Sequence, residues 1–366
     1  MIIEKLKEKL INDIYGLGKK KAEPIAEYLL FSSLSILRGR NKNPLITNAG
    51  SMSVSYFQKT FNVNRSLCAK ILDYCFDRGE EYCTGSCKPS IPKKWLKDMT
   101  LEYVSENHYK SDELILNTSS FNFYPLAGSF YIEFTLPIDN IKEAIRQAKY
   151  LMNSEEYYTS GPDIGKLKNN QDEYNLAKIY LEAGLRRDGY FCEKYEYKNC
   201  GRIYQNKYGF QNMKKIIRNL AFKGYYNVDI NSSFFRMAWD LYANQWSEEL
   251  NQEISFLLDC KEEFYSSIQD PKEFKINLLA ILLGSNNHEI VNSSDKIKNL
   301  NKLLNEWLSP YKRRSQLATD LFQKEQEYVS NLINQIQEIP HVLIHDGFIV
   351  KNNYELDEKI WSIKKL

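Results

Sequence analysis

Two aspartates of this chain each follow a short, largely apolar segment. Asp229 follows residues 225–228, and Asp346 follows residues 341–345. An acidic side chain at the tip of a buried strand is unfavourable unless it is paired or binds a cation. Two such acids on neighbouring strands would repel each other unless Mg²⁺ lay between them. The pattern therefore predicts a two-metal carboxylate pair, which is suited to nucleotidyl transfer.

Asp229 also has a purely structural interpretation. It precedes the sequence Ser-Ser-Phe-Phe at 232–235, and an Asp before such a sequence can cap the N-terminus of a helix. Metal binding is the favoured interpretation because Asp346 recurs in a matching context. His345, next to Asp346, is assigned only a supporting role.

The segment before Asp229 carries charge of one sign. Residues 197–228 contain no Asp or Glu, and their basic residues are Lys198, Arg202, Lys207, Lys214, Lys215, Arg218 and Lys223. Such a block is usually a solvated surface, but beside a two-metal site it would suit a polyphosphate or a nucleic-acid backbone. The net charge of +2 is by itself no sign of a nucleic-acid partner.

Length and composition limit the possible architectures. A chain of 366 residues with 43% hydrophobic residues is expected to form two or more subdomains. No apolar run approaches the roughly 20 residues of a membrane span, and the chain start lacks a signal-peptide pattern. A cytoplasmic protein without a membrane partner is therefore expected. The seven cysteines are irregularly spaced, which favours reduced thiols, and they match no common zinc pattern.

The first 40 residues predict two helices around a tight turn. An amphipathic stretch from Ile3 to Ile14 and an apolar stretch to Leu37 flank a turn that contains two glycines. This pattern resembles a helix-hairpin-helix, in which backbone N–H groups at a helix N-terminus bind a DNA phosphate. Its candidate contacts are Gly16, Gly18 and Lys19. An ordinary corner between two helices is the alternative.

Residues 53–76 have the spacing of a helix-turn-helix. The predicted core positions are Phe57, Phe61, Val63, Leu67 and Ile71. The residues that would begin the second helix and face DNA are Asn64, Arg65, Ser66 and Lys70. Simple helix packing is the alternative interpretation.

Further along the chain, strands and helices alternate. The predicted elements are a hairpin over 114–136, helices within 140–190, a helix from Ser233, a helix through Lys275, a helical stretch over 295–339, and a hairpin around Asp346 with a tight turn at 351–353. Strands that carry acids, with helices on one side, predict an α+β palm.

The residues around the two aspartates resemble motifs of family A DNA polymerases and single-subunit phage RNA polymerases. The first aspartate motif is matched by Gly201-Arg202-Ile203-Tyr204, Gln211-Asn212, Arg218 and the Asp229 to Arg236 offset of seven residues. The second aspartate hairpin of the family is matched by His345-Asp346-Gly347-Phe348. Between them, Lys275 and Gly284 keep the nine-residue spacing of the fingers helix. The motifs together cover roughly residues 200–355.

The resemblance implies roles for these residues. Asp229 and Asp346, with the backbone carbonyl of Ile230, would hold two Mg²⁺ ions, or Mn²⁺ in their place. The residues implied to bind the nucleotide are Lys272, Lys275, Leu279, Leu283, Gly284 and Phe234. The residues implied to bind the template or primer are Arg202, Lys214, Lys215, Arg218, Arg236 and His345.

Three positions depart from the family pattern. Pro271 replaces an Arg one turn before the fingers Lys, Leu283 replaces a Tyr, and Phe234 replaces an acid. A bulky Phe234 would favour dNTPs by excluding a 2′-hydroxyl group. The missing Tyr and acid leave the choice of sugar open.

The predicted fold is α+β, with a right-hand polymerase palm of antiparallel sheet and helices, short helical fingers and a mainly helical N-terminal region. The predicted regions are 1–95 (helical), 96–195 (mixed, thumb-like or connecting), 196–260 with 335–366 (palm) and 261–334 (fingers). The expected function is template-directed nucleotidyl transfer by a compact phage- or plasmid-type DNA or RNA polymerase, or a primase. Its partners would be a DNA template, a primer, NTP or dNTP substrates and other replication proteins.

Two other functions stay open. A non-catalytic DNA-binding replication or regulatory protein would retain a degenerate palm, which the departures at Pro271, Leu283 and Phe234 allow. A two-metal nuclease would use similar acids but would not need a lysine on a fingers-type helix.

Overall fold

The computed structural model describes most of the chain. The described residues are 2–37, 54–78, 90–106, 129–157, 167–168, 170–198, 201–205, 208–266, 295–308 and 314–366. Several predicted features lie outside them: the fingers helix with Lys272, Lys275, Leu279, Leu283 and Gly284, the first strand of the 114–136 hairpin, and the cysteines Cys83 and Cys87.

Helices make up most of the described secondary structure. The α-helices in this part of the chain are α1 (Ile2–Asp13), α2 (Lys19–Leu37), α3 (Val54–Phe61), α4 (Arg65–Cys75), α5 (Lys94–Ser105), α6 (Ile138–Met152), α7 (Gln171–Leu185), α8 (Lys215–Ala221), α9 (Ser233–Tyr242), α10 (Glu248–Asp259), α11 (Lys261–Ser266), α12 (Asp295–Leu308) and α13 (Arg314–Ile336). A short 3₁₀ turn at Phe210–Asn212 precedes α8, and another at Ala243–Gln245 follows α9.

The described strands form four small sheets. The strands are β1 (Phe76–Arg78), β2 (Ser90–Pro92), β3 (Ser129–Thr135), β4 (Glu156–Tyr157), β5 (Leu167–Lys168), β6 (Tyr190–Tyr197), β7 (Ile203–Gln205), β8 (Tyr226–Ile230), β9 (Val342–Ile344), β10 (Gly347–Val350) and β11 (Trp361–Lys365). Their orders are β1-β2, β4-β5, β3-β6-β7 and β11-β8-β10-β9, and every pair in the last sheet is antiparallel. Helices combined with antiparallel sheets confirm the predicted α+β class.

The chain packs as two compact units. The first contains the described residues up to 106 together with 135–191 and 208–221, and the second contains 129–134, 192–205 and the described residues from 222 to 366. Each unit is assembled from segments that are distant in sequence. The division into the four regions named above stays a prediction.

The first unit has a helical core. On α1, Ile2, Leu6 and Leu10 recur every four residues and are fully buried, which is the pattern of one apolar helix face. They belong to a cluster that includes Phe57 of α3 and Ile71 of α4. The burial of these residues stabilises the bundle, at about 25 cal/mol per Å² of apolar surface removed from water.

The predicted helix-turn-helix is present as two helices with the predicted core. Phe57, Val63 and Ile71 are buried, and Phe61 and Leu67 pack partly buried against the cluster. Asn64 caps α4, because its side-chain oxygen accepts a hydrogen bond from the Leu67 N–H at 2.8 Å. The residues predicted to start the second helix, Asn64, Arg65, Ser66 and Lys70, are exposed.

The second unit contains the four-stranded sheet, with β8 between β10 and β11. Side chains alternate along β8, so Val228 and Ile230 lie buried on one face while Asn227 and Asp229 lie on the other. Phe348 and Val350 of β10 pair with Val228 and Tyr226 and complete the apolar face.

The sequence misplaced one turn. The tight turn of the Asp346 hairpin consists of His345 and Asp346, because Ile344 of β9 pairs directly with Gly347 of β10. Lys351–Asn353 was predicted to form this turn, but it lies after β10, where the chain leaves the hairpin on its way to β11. The pairing of two apolar strands, rather than the local turn sequence at 351–353, therefore determines where the hairpin turns.

The part of the chain that the structure describes contains no helix with both the length and the hydropathy of a membrane span.

A half-buried histidine predicts a pH effect on stability. His341 lies beside the rings of Phe134, Tyr225 and Phe222, at centroid distances of 5.3, 5.1 and 6.4 Å. Burial lowers the pKa of His341 from 6.5 to about 4, with a smaller lowering by Lys351 and an opposing effect of Glu338. A lowered pKa in the folded state means that the unfolded chain binds the proton first, so stability falls as the pH drops from 6.5 towards 4.

We expect His341→Phe, which keeps an aromatic ring in this cluster, to remove this loss of stability at low pH. Urea unfolding of both proteins at pH 7 and pH 4 should show that the wild type loses on the order of 2 to 3 kcal/mol more stability than the variant over this interval. Equal losses in the two proteins would contradict the assignment of a neutral, half-buried His341.

Candidate active site

The structure places Asp229 and Asp346 at the same end of the four-stranded sheet. Asp229 pairs with Gly347 of β10 on one side and Ser362 of β11 on the other. Asp346 precedes Gly347, and its backbone carbonyl accepts a hydrogen bond from the Ile230 N–H at 2.9 Å. Both aspartates are half-buried. Adjacent strands therefore bring together the two acids that the sequence singled out.

Asp229 does not cap a helix. The N-cap position of α9 is Ser232, which adopts a left-handed backbone conformation with φ 52° and ψ 42° and makes no side-chain cap hydrogen bond. Asp229 lies within β8, three residues earlier. The capping interpretation of Asp229 is therefore wrong, and a sharp turn at Ser232 connects its strand to α9.

The close approach of β8 and β10 shapes the surroundings of Asp229. A Cβ atom on Gly347 would lie 2.0 Å from the Val228 carbonyl oxygen and 2.6 Å from Oδ1 of Asp229. Only glycine leaves this space for the carboxylate. On the same face of β8, the Asn227 side-chain amide donates a hydrogen bond to Oδ2 of Asp229.

A buried ion pair lies close to Asp346. Arg202, just before β7, donates from Nε and Nη2 to Oε2 of Glu325 on α13, at 2.8 and 2.7 Å. The side chains are 13% and 1% exposed. Burial raises the pKa of the Glu325 carboxyl to about 7, Arg202 and Ser233 lower it, and the negative charge of Asp346 raises it. Glu325 therefore experiences the charge of Asp346.

A residue near each aspartate in the sequence contacts α13. The Ser233 hydroxyl, four residues after Asp229, donates to Oε1 of Glu325 at 2.6 Å. The Gln326 side-chain amide donates to the backbone carbonyl of His345 at 3.0 Å. The imidazole ring of His345 packs edge-on against Tyr204 of β7, at a centroid distance of 4.9 Å.

Three further predicted contacts have partners within the second unit. The Arg202 guanidinium stacks on the Phe322 ring at 3.8 Å and lies 5.4 Å from the Phe234 ring. Phe234 packs edge-on against Phe322 at 5.9 Å. Arg236 donates from Nη2 to the Lys359 carbonyl at 2.6 Å, which fixes the segment before β11. Arg202 and Arg236 thus have structural partners, and their contact with nucleic acid stays a prediction.

The other nucleic-acid contacts predicted within the described residues lie in the first unit. Lys214 pairs with Glu173 at 3.0 Å, and Arg218 donates to the carbonyls of Phe210 and Gln211 at 3.3 and 3.4 Å. Lys215 is exposed. The exposed turn before α2 contains Gly16, with φ +93°, as well as Gly18 and Lys19.

The donor set fits Mg²⁺, which commonly binds one or two carboxylates and completes its octahedron with water and substrate phosphates. Asp229 and Asp346 supply hard oxygen donors at neighbouring positions. Within the described residues, no three His, Cys, Asp or Glu side chains group together as a closed metal cluster.

Sequence reasoning missed Asn227, Ser233, Glu325 and Gln326. Asn227 carried a usable signal, because it lies two residues before Asp229 and must share its face of the strand. Glu325 and Gln326 carried none. They belong to the polar stretch Gln-Lys-Glu-Gln-Glu at 323–327, which is typical of a solvated helix face.

No protein-family model matches the sequence, and neither a curated protein nor a solved structure matches it. The polymerase resemblance therefore depends on the motif residues quoted above.

We expect Gly347→Ala to damage the site and the sheet together. The added Cβ meets a backbone oxygen of β8, which cannot move without breaking strand pairing, so the free energy of unfolding should fall by about 2 kcal/mol or more. Gly18→Ala is the matched control, because a Cβ there has no atom within 4 Å. Because the Gly18 carbonyl accepts the first hydrogen bonds of α2, where Ala is a poorer N-cap than Gly, its loss in urea unfolding should be about 1 kcal/mol or less. Similar losses for the two variants would contradict the close approach at Gly347.

Proposed function

We propose that this protein is a template-directed nucleotidyltransferase with a polymerase-type palm formed by β8–β11, α9 and α13. The observation that carries the proposal is the placement of Asp229 and Asp346 side by side at one end of an antiparallel sheet. The sequence pattern alone predicts the same two residues as a metal-binding pair. Their meeting across adjacent strands supports the palm interpretation.

In the proposed reaction, the 3′-hydroxyl oxygen of a growing chain attacks the α-phosphorus of an NTP or dNTP. A new P–O bond forms, the bond to the β-phosphate oxygen breaks, and pyrophosphate leaves while the hydroxyl proton passes to a base or to water. Asp229 and Asp346 would hold Mg²⁺, which lowers the pKa of the attacking hydroxyl and stabilises charge on the leaving group.

The surrounding side chains hold this pair in place. Asn227 orients Asp229 by a hydrogen bond to Oδ2, and Gly347 leaves the space in which that carboxylate lies. Arg202 neutralises Glu325, whose negative charge would otherwise add to that of Asp346. We therefore assign Arg202 a supporting role and leave the triphosphate contacts to Lys275 and Lys272, as the sequence predicts.

A second candidate function, DNA binding without catalysis, would need only a basic surface, and one contact in the first unit helps to build such a surface. Lys21, at the start of α2, donates to the Asn62 carbonyl in the turn between α3 and α4. This contact brings the glycine turn close to the start of α4, so that exposed Lys19 and Arg65 belong to one surface. Such a surface would suit a nucleic-acid backbone in a polymerase and in a non-catalytic protein alike.

We expect Asp229→Asn and Asp346→Asn each to lower the rate of nucleotide incorporation by roughly 10³-fold or more, because several kcal/mol of transition-state stabilisation depend on the charged pair. The assay supplies primed and unprimed single-stranded DNA with labelled NTPs or dNTPs and sizes the products. Products on unprimed DNA would identify a primase.

Asp98→Asn is the matched control, because Asp98 is an exposed aspartate on α5 in the other unit. Its rate should equal that of the wild type. Full incorporation by either site variant would overturn the proposed function, and binding of DNA without any incorporation by the wild type would favour the non-catalytic alternative.

The DNA-binding surface predicts a change in salt dependence. Replacing Lys19 and Arg65 together by Ala should remove two phosphate contacts and reduce the slope of log K against log salt by about 2 on duplex DNA. The matched control replaces Lys142 and Arg146, two exposed basic residues of α6 in the same unit, by Ala. Titrations at several salt concentrations measure both slopes. An unchanged slope in the first variant would exclude this surface as a DNA contact.

A further inference from the structure

Glu325 and Gln326 are neighbours on α13, and each binds the segment that carries one aspartate. Glu325 accepts a hydrogen bond from Ser233, which belongs to the Asp229 segment. Gln326 donates to the backbone carbonyl of His345, which directly precedes Asp346. One turn of helix thus contacts both segments.

The helix is anchored independently of these two contacts. Val329, Leu332 and Ile333, in the next turns of α13, are buried in the second unit. Because α13 is a regular helix with a packed apolar face, its backbone keeps residues 325 and 326 at a constant separation. Rigid elements are the supports on which a site can be held to within a fraction of an ångström.

Both contacted segments need such support. The Asp229 segment leaves β8 through the left-handed Ser232, a conformation that costs non-glycine residues free energy unless the surroundings hold it. The Asp346 segment is a two-residue turn between β9 and β10, in which the Ile230 N–H donates to the Asp346 carbonyl and the Gln326 side chain donates to the His345 carbonyl.

We propose that the Glu325–Gln326 pair of α13 is a positioning element, which sets the separation of Asp229 and Asp346 through Ser233 and the His345 carbonyl. The inference rests on the proposed function, because that separation matters only if the two carboxylates share a cation. Arg202 belongs to the element as the ion-pair partner that holds the Glu325 side chain in its buried place. None of these residues needs to touch the substrate.

The test measures binding of Mn²⁺ alone by calorimetry, together with nucleotide incorporation. In Ser233→Ala and Gln326→Met, which remove one hydrogen bond each, Mn²⁺ affinity should fall about tenfold. The value of kcat should fall by a similar factor while KM for the nucleotide stays within twofold, because the triphosphate contacts are elsewhere. Val329→Ala is the control: it truncates the core of the same helix and lowers the melting temperature but keeps the side chains of Ser233, Glu325 and Gln326.

The outcomes separate this inference from the proposed function. Weaker Mn²⁺ binding in Ser233→Ala and Gln326→Met, with wild-type affinity in a Val329→Ala protein that melts at least as early, supports the positioning role. Wild-type Mn²⁺ affinity and kcat in both hydrogen-bond variants would overturn the positioning role and leave the proposed function intact. If the wild type binds no Mn²⁺, or if Asp229→Asn and Asp346→Asn leave its Mn²⁺ binding unchanged, both the positioning role and the proposed function are overturned.

Discussion

Negative charges that are brought close together must be compensated, and this requirement shapes the second unit. Asp229 and Asp346 meet at one end of the sheet, and Glu325 is near enough to respond to the charge of Asp346. Arg202 compensates the Glu325 charge, because its guanidinium pairs with that carboxylate and stacks on Phe322. The ion pair thus joins the segment before β7 to the helix α13.

Local patterns in the sequence predicted the elements that carry the two aspartates. The apolar residues around Asp229 and Asp346 form β8 and the β9–β10 hairpin, and the helical stretch from Ser233 forms α9, because burial of period-two and amphipathic patterns decides such elements. The helix-turn-helix core was predictable for the same reason. In these features, residues that are neighbours in the sequence are enough to specify the helix or strand that they form.

The rest depended on contacts between distant residues. The position of β8 between β10 and β11 joins residue 229 to residues 347 and 362, and no local pattern specifies that pairing. The burial of Glu325 depends on Arg202, which is 123 residues away. From the local sequence alone, both residues are expected to be solvent-exposed. Charged residues are rarely buried unless they are paired, and here the pairing partner is distant in the sequence.

The raised pKa of Glu325 reflects the cost of burying its charged carboxylate, which Arg202 and Ser233 offset only in part. An acid whose pKa is raised from 4.5 to about 7 in the folded state contributes stability that is fully present below about pH 4.5 and is lost as the pH rises through 7. An apolar side chain in this place would avoid the cost of burying two charges, as replaced buried ion pairs in other proteins show. An apolar side chain, however, could not accept a hydrogen bond from Ser233. The cost of burying the Glu325 carboxylate is therefore consistent with a positioning role, in which the carboxylate holds the Asp229 segment rather than adding to the free energy of folding.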